Sequence, residues 1–340
     1  MKAWIGIDVS KETLDVTLDV TPVKQNDKMF YKQLKNDKSG WVRVVKWIKT
    51  LDVEEPHFCM ESTGAYSTGI AMYLVEQEYL VTVENPARIK HYGAMMGIIN
   101  KNDKMDSKSI ASYCRLLNPA PWRMAAPEVR LLSALMRRYD DLLTTRNQEN
   151  NRRKVPGLPK EVQNSITAFI KFIDKQIEKL LDEINRHIDR HPDLKGDKEI
   201  LESIPGISNI TSLWLLAELP DVNQFDTAKD AAAFAGLNPR ERSSGTSVRS
   251  KTKLSKSGNR YLRKALYMPA MSAMKHNPIV KALYDRLKDK GHCSKSALAA
   301  CMRKLLMIAY GVLKNKTKFD VGHVQKLLEV DQKEVLKVAC

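Results

Sequence analysis

The chain has 340 residues, room for two or three domains, and a formal net charge of +16, which favours a polyanionic partner over a basic one. The charge is uneven: residues 1–120 hold 16 Lys/Arg against 15 Asp/Glu, while residues 121–340 hold 40 against 25. Five cysteines without a C-x-x-C pair argue against a disulfide frame and a zinc knuckle, and no run reaches the roughly 18 apolar residues of a membrane span.

The chain opens on a strand pattern with no leader peptide, so a cytoplasmic protein without membrane contact is expected. Residues 3–9, 13–20 and about 29–35 read as strands, the second alternating through Leu14-Asp15-Val16-Thr17-Leu18. A helix over 39–51 places Trp41, Val44, Val45 and Ile48 on one face. A strand ending at Glu61, a helix over 65–77 and a strand over 79–84 follow, and Asn85-Pro86 reads as a break. The next predicted helix runs from Asp103 to about Leu117. Strands first, then strand and helix in alternation, predict an α/β layer on a mixed sheet.

Pro119-Ala120-Pro121-Trp122 marks a boundary, so residues 1–120 are expected to form the first domain. Residues 121–195 read as a helical hairpin. Leu132, Leu135, Tyr139 and Leu142 line its first helix, Pro156-Gly157-Leu158-Pro159 turns it, and Ile166, Ile170, Ile173, Ile177, Leu180 and Ile184 form a coiled-coil seam on its second. That seam also suits a contact between copies. Residues 196–318 read as a mainly helical domain with one polar interruption from Gly236 to about Gly258, and 319–340 as a tail. The fold class expected is therefore α/β plus all-α.

Four acids stand where a phosphate-cutting metal site would want them. Asp8 ends the apolar strand Trp4-Ile5-Gly6-Ile7, Glu61 ends His57-Phe58-Cys59-Met60, and Asp103 and Asp106 share one face of a helical turn. A carboxylate on a buried strand is costly unless compensated, and hard oxygen ligands favour Mg²⁺ or Mn²⁺. The bland alternative makes Asp103 a helix N-cap with Asp106 at the third position. Lys101 and Lys104 flank the pair and suit a scissile phosphate. An apolar strand ending Gly6-Ile7-Asp8 also opens sugar kinases and actin-like ATPases, but no glycine-rich phosphate loop follows.

The second constellation is basic. Residues 236–265 hold nine Lys/Arg and one acid, among them Arg240, Arg242, Arg249, Lys251, Lys253, Lys256 and Arg260, a strip suited to phosphate backbone with strongly salt-dependent affinity. Ser244-Gly245 places a hydroxyl on a turn within it, and a serine becomes a nucleophile only where a base, metal or cationic field activates it. Upstream, Leu201 to Leu213 looks like a helix-hairpin-helix whose turn at Gly206 offers backbone N–H groups to phosphate; tight packing alone is the plain alternative.

These motifs resemble the insertion-sequence transposases that pair an N-terminal RuvC-like DEDD domain with a C-terminal serine-bearing domain, the bridge-RNA-guided recombinases. The resemblance spans nearly the whole chain. It rests on Gly6–Lys11, Glu61–Tyr66, Asn85–Ala87, Lys101–Ser107, Ile204–Ile207, Phe234–Pro239, Ser244–Arg249 and the stretch ending at Ala270. Ser107 stands where the pattern usually has alanine. The resemblance implies that Asp8, Glu61, Asp103 and Asp106 bind Mg²⁺ and that Ser244 forms a covalent phosphoserine link to DNA. It further implies a structured guide RNA pairing with donor and target DNA, and a homo-oligomer, dimer or tetramer. The rival readings are a metal-dependent RuvC-like endonuclease without a covalent intermediate and a noncatalytic nucleic-acid scaffold.

Overall fold

Five paired strands carry the first of two compact units, Met1–Met124 and Ala125–Cys340, into which the chain divides. The computed structural model describes residues 2–20, 28–51, 53–98, 102–219, 221–240, 243–244, 248–249, 253–320 and 322. Three strands, β1 (Lys2–Val9), β2 (Thr13–Val20) and β3 (Lys28–Lys35), pair antiparallel. Helix α1 (Lys38–Lys49), capped by Asp37, leads to β4 (Glu55–Glu61); α2 (Ala65–Glu76) leads to β5 (Leu80–Glu84). The latter two strands run parallel to β1, giving the mixed order β3-β2-β1-β4-β5.

Period-two patterning gives this sheet two unlike faces. Ile5, Ile7, Leu14, Val16, Leu18, Phe58 and Met60 turn to one side and form a buried core with Val44, Val45 and Ile48 of α1 and Ile70 and Leu74 of α2. Burying each such side chain contributes about 1.5–3 kcal/mol. The other face carries polar residues and is covered by α3 (Pro86–Met95) and α4 (Asp103–Leu117) around Cys59, Ile89, Tyr92, Ile110, Tyr113 and Cys114.

Helix α3 is the element that the pattern reading leaves out. Asn85-Pro86 reads as a break, and it is one. The break starts a helix: the Asn85 side chain accepts from the Ala87 N–H at 2.9 Å, and Pro86 sits at the first helical position, where its missing donor is harmless. After α4 the chain runs beside β5, with the Trp122 N–H donating to Val81 O at 2.7 Å and Thr82 Oγ1 donating to Ala120 O at 3.0 Å.

The second unit opens with α5 (Pro127–Arg153) and α6 (Lys160–Asp189), which pack on one another around a Pro-Gly turn. Ile170, Ile173 and Ile184 of the expected seam are buried, as are Leu132, Tyr139 and Leu142 opposite. Phe169 and Phe172 are exposed and stack with ring centroids 6.4 Å apart. Helices α7 (Pro192–Glu202), α8 (Asn209–Glu218) and α9 (Ala228–Phe234) follow, the last closed by a Thr227/Asp230 capping box.

Next come the two-residue strands β6 (Pro239–Arg240), β7 (Ser243–Ser244), β8 (Val248–Arg249) and β9 (Lys253–Leu254). Helices α10 (Arg260–His276), α11 (Pro278–Asp289) and α12 (Ser294–Asn315) complete the unit. Helix α12 is long and apolar enough to cross a membrane by length and mean composition, although Arg303 and Lys304 interrupt its apolar run. Its Leu298, Cys301, Leu305, Leu306 and Ala309 lie instead in the core of this unit, with Leu213 and Leu266.

Candidate functional site

Strand register sets four carboxylates side by side. Asp8 of β1 faces Asp15 of β2 across the antiparallel pair. In the parallel pair Ile7 is matched with Met60, so Asp8 lies abreast of Glu61, and Glu61 is matched in turn with Glu84 of β5. All four belong to the polar face. The strand-end position singles out Asp8 and Glu61 in the sequence; Asp15 and Glu84 emerge only from the register.

The outer two members are compensated by neighbours. Asp15 is buried and accepts a hydrogen bond from the Tyr31 hydroxyl and one from Gln33 Nε2 at 3.2 Å. Its bond, with burial, pushes the Tyr31 hydroxyl up to about 12. Glu84 accepts from the Tyr113 hydroxyl at 2.7 Å, from the Asn85 N–H at 2.7 Å and from Arg88 at 3.3 Å. Burial, and then that bond to Glu84, push the Tyr113 hydroxyl up to about 12.

Helix α4 brings the second pair of acids to the middle of the row. It can lie directly on the sheet because β1 has a glycine where they cross: a Cβ on Gly6 would meet Ser107 O at 2.1 Å and Ala111 N at 2.3 Å. Two polar contacts fix its position. Ser107 Oγ and Thr17 Oγ1 share a buried hydrogen bond of 2.8 Å, and Arg115 Nε pairs with the fully buried Asp19 carboxylate at 3.2 Å. The serine that departs from the expected alanine is thus satisfied by a threonine on the next strand.

The N-cap of α4 is Asn102, whose side chain accepts from the Met105 N–H at 2.9 Å. Asp103 is the first helical residue and Asp106 the fourth, so Asp103 is not the cap, although both acids lie in the first turn, where the helix dipole favours them. Lys104 lies over the Tyr31 ring at 5.2 Å; Lys101 lies outside the described residues.

Asp8 is half-buried, and its carboxyl is pushed up to about 6, first by loss of solvent and then by Asp106, Asp103, Glu61 and Asp15. The acids therefore feel one another across a shared space. Among the described residues no three acidic, His or Cys side chains already form a group that could hold a metal ion, so an ion would have to draw them inward. The donor chemistry fits a hard divalent cation: the oxygens are all carboxylate, and their mutual repulsion is the cost such an ion removes. Asp8, Glu61, Asp103 and Asp106 are the residues that would hold it.

Where it is described, the basic strip forms two short antiparallel ladders. Its stalk pairs Pro239 with Leu254 and Arg240 with Lys253, and its outer part pairs Ser243 with Arg249 and Ser244 with Val248. The base is stitched by Asn259 N–H to Phe234 O at 2.8 Å and Ser255 N–H to Asn238 O at 2.9 Å. Gly258, with φ of 143°, admits no Cβ because Phe234 O would lie 2.3 Å from it. Arg240, Lys253, Lys256 and Arg260 are exposed, and Arg260 stacks on Tyr261 at 4.8 Å. Arg242, Lys251 and the side chains of Ser244 and Arg249 lie outside the described residues. Gly206, with φ of 103°, turns α7 into α8, and a Cβ there would meet the Ala273 side chain of α10 at 2.7 Å. Packing alone is a sufficient reason for that glycine.

A transposase family model of the DEDD IS110 type matches residues 5–155, and the model of the IS116/IS110/IS902 transposase family matches residues 198–285. The pilin gene-inverting proteins of Moraxella lacunata and Moraxella bovis are each 30% identical over 94% of this chain and 98% of their own length. The RuvC structure of Thermus thermophilus aligns with 35% of this chain and 99% of its own at 16% identity, with a TM-score of 0.26. Asp8, Glu61, Asp103 and Asp106 fall inside the first matched segment, and the stalk of the basic arm inside the second. The chain belongs to the IS110/IS116/IS902 family of transposases.

Proposed function

We propose that this protein cuts and exchanges DNA strands with a divalent ion, Mg²⁺ or Mn²⁺, held by Asp8, Glu61, Asp103 and Asp106, and with Ser244 as the nucleophile. The observation that carries the reading is the placement of Asp8 and Glu61 abreast, with the first turn of α4 close enough for Asp103 and Asp106 to raise the Asp8 carboxyl. A bound cation would supply Lewis-acid polarisation of a backbone phosphate. The chain's own part is to fix α4 over the sheet through Gly6, Ser107 and Arg115, so that Asp103 and Asp106 stay within reach of Asp8 and Glu61.

Ser244 forms its ester with phosphorus while a sugar oxygen of the strand leaves as a hydroxyl, and the serine proton balances that departure. Each broken phosphodiester is conserved in a phosphoserine, so strands exchange without an outside energy source. Arg240, Arg242, Arg249, Lys251, Lys253, Lys256 and Arg260 hold phosphates of donor and target DNA, assisted by backbone N–H groups at the Gly206 turn. A structured guide RNA pairs with both DNAs, leaving shape and backbone to the protein. The exposed, stacked Phe169 and Phe172 on α6 support a homo-oligomer joined through the helical hairpin.

The test is to follow covalent protein–DNA adducts and recombination in Ser244→Ala and strand cleavage in Asp8→Asn and Asp106→Asn. Loss of adducts in the first, and loss of cleavage with retained binding in the others, is expected. Recombination at the wild-type rate by Ser244→Ala removes the nucleophile and leaves a hydrolytic nuclease. Wild-type cleavage by both aspartate variants removes the metal site.

A further inference from the structure

A cleft of about 830 Å³ opens in the second unit between the first half of α10, the first turns of α12 and the end of β9. Its floor is apolar: Leu298 and Met302 of α12 are almost fully buried, and Leu254 of β9 closes one side. Its wall is formed by Tyr267 and Met268, which α10 leaves 48% and 66% exposed. An aromatic ring and a thioether standing side by side in water beside a greasy floor mark a surface made to be covered.

The rim is cationic, with Lys256, Arg263, Lys264 and Lys295 and no carboxylate among the lining residues. Two of these charges are already engaged: Lys264 pairs with Asp140, and Arg263 donates to Ala235 O at 2.9 Å. Lys256 and Lys295 are exposed and remain for a ligand. An occupant must therefore offer a flat apolar face to Tyr267 and a negative charge to the lysines. A nucleotide joins both in one repeating unit, whereas a peptide must set an aromatic side chain beside an acidic one to match it.

We infer that this cleft takes an unpaired nucleotide of a DNA strand, its base against Tyr267 and Met268 and its phosphates on Lys256 and Lys295. The base must be unpaired and unstacked, because a duplex hides base faces from a side chain. A continuous strand rather than a free nucleotide fits best, since Leu254 belongs both to the cleft and to the stalk of the basic arm, so one backbone can run from arm to cleft. This inference rests on the strand-exchange reading, which bares single strands.

The experiment uses the full chain and fluorescence anisotropy with labelled oligothymidylate, an abasic oligomer of equal length, a duplex and oligouridylate, for wild type, Tyr267→Ala and Lys295→Ala. Wild type should bind oligothymidylate about tenfold more tightly than the abasic oligomer, and Tyr267→Ala should erase that difference. Duplex binding by Tyr267→Ala should change less than about twofold, and Lys295→Ala should weaken base-bearing and abasic oligomers alike. Unchanged melting temperatures are expected, because both side chains are exposed.

If Tyr267→Ala binds oligothymidylate as wild type does, or weakens abasic and duplex ligands equally, the cleft assignment falls. Intact recombination in that variant would then leave the strand-exchange reading standing. Tighter, Tyr267-dependent binding of oligouridylate overturns DNA as the source. Failure of wild type to bind either single strands or duplex overturns both this inference and the reading beneath it.

Discussion

On the polar face of the first unit, each acid stands on a long paired strand or on a helix pressed against one. Arg240, Arg249 and Lys253 of the basic arm in the second unit stand on two-residue strands. The difference follows from the ligands the two regions suit. A divalent ion, as proposed for the first, needs its oxygens within a small range of positions, and a sheet in one register with a helix packed on it limits that range. Phosphate backbone is gripped by charge, which acts over several ångströms and tolerates movement. Within the carboxylate row the same contrast repeats: Asp15 and Glu84 are tied to hydroxyl and amide donors, whereas Asp8 lies in the field of four other acids.

Removing a partner from the sheet should have the largest effect on stability. Arg115→Ala removes the guanidinium paired with the buried Asp19 carboxylate, and a loss of about 3–5 kcal/mol is expected on chemical denaturation. A loss below about 1 kcal/mol would mean that this ion pair does not hold α4 in place. Gly6→Ala comes next: its methyl group would collide with the Ser107 carbonyl, and a loss of about 1–3 kcal/mol is expected. Cleavage should fall well beyond what that loss explains, because α4, with Asp103 and Asp106, must lift from Asp8 and Glu61. A Gly6→Ala protein with normal cleavage would show that close contact is unnecessary.

The third effect is a pH dependence. The folded Asp8 carboxyl titrates near 6, above its value in the unfolded chain, so its contribution is fully present below about pH 4 and lost as pH rises through about 6. For this half-exposed group the loss is of the order of 1–2 kcal/mol in metal-free protein, after allowance for solvent screening. Asp8→Asn should flatten that pH profile and melt higher than wild type at neutral pH. An equally steep profile in the variant would place the repulsion elsewhere. The smallest effect belongs to the arm: Lys253→Ala should reduce the slope of log affinity for duplex DNA against log salt by about 1, with little change in melting. An unchanged slope would remove that lysine from the backbone contact.

Much of this was legible in the residues. Alternation in Thr13–Val20 gives both the strand and its two faces, and strand-end acids flag Asp8 and Glu61 before any pairing is known. Register is not legible that way. Asp15 reads as an ordinary outward residue of an alternating strand, and Glu84 as the end of another, until pairing puts both in line with Asp8 and Glu61. Helix α3 escaped because Asn85-Pro86 signals a break equally well before a loop or a helix. The short ladders of the basic arm escaped because two paired residues leave no periodicity to detect. The role of Gly6 needed the helix above it, since a glycine in a strand says only that something comes close.

The most direct test is a Mn²⁺ titration of the full chain at neutral pH, followed by calorimetry and by the shift in melting temperature, for wild type, Asp8→Asn and Asp106→Asn. Saturable binding that raises the melting temperature of wild type, and is lost or severely weakened in both variants, is the expected result. No binding to wild type, or equal binding to all three proteins, would contradict a shared metal site on the carboxylate face.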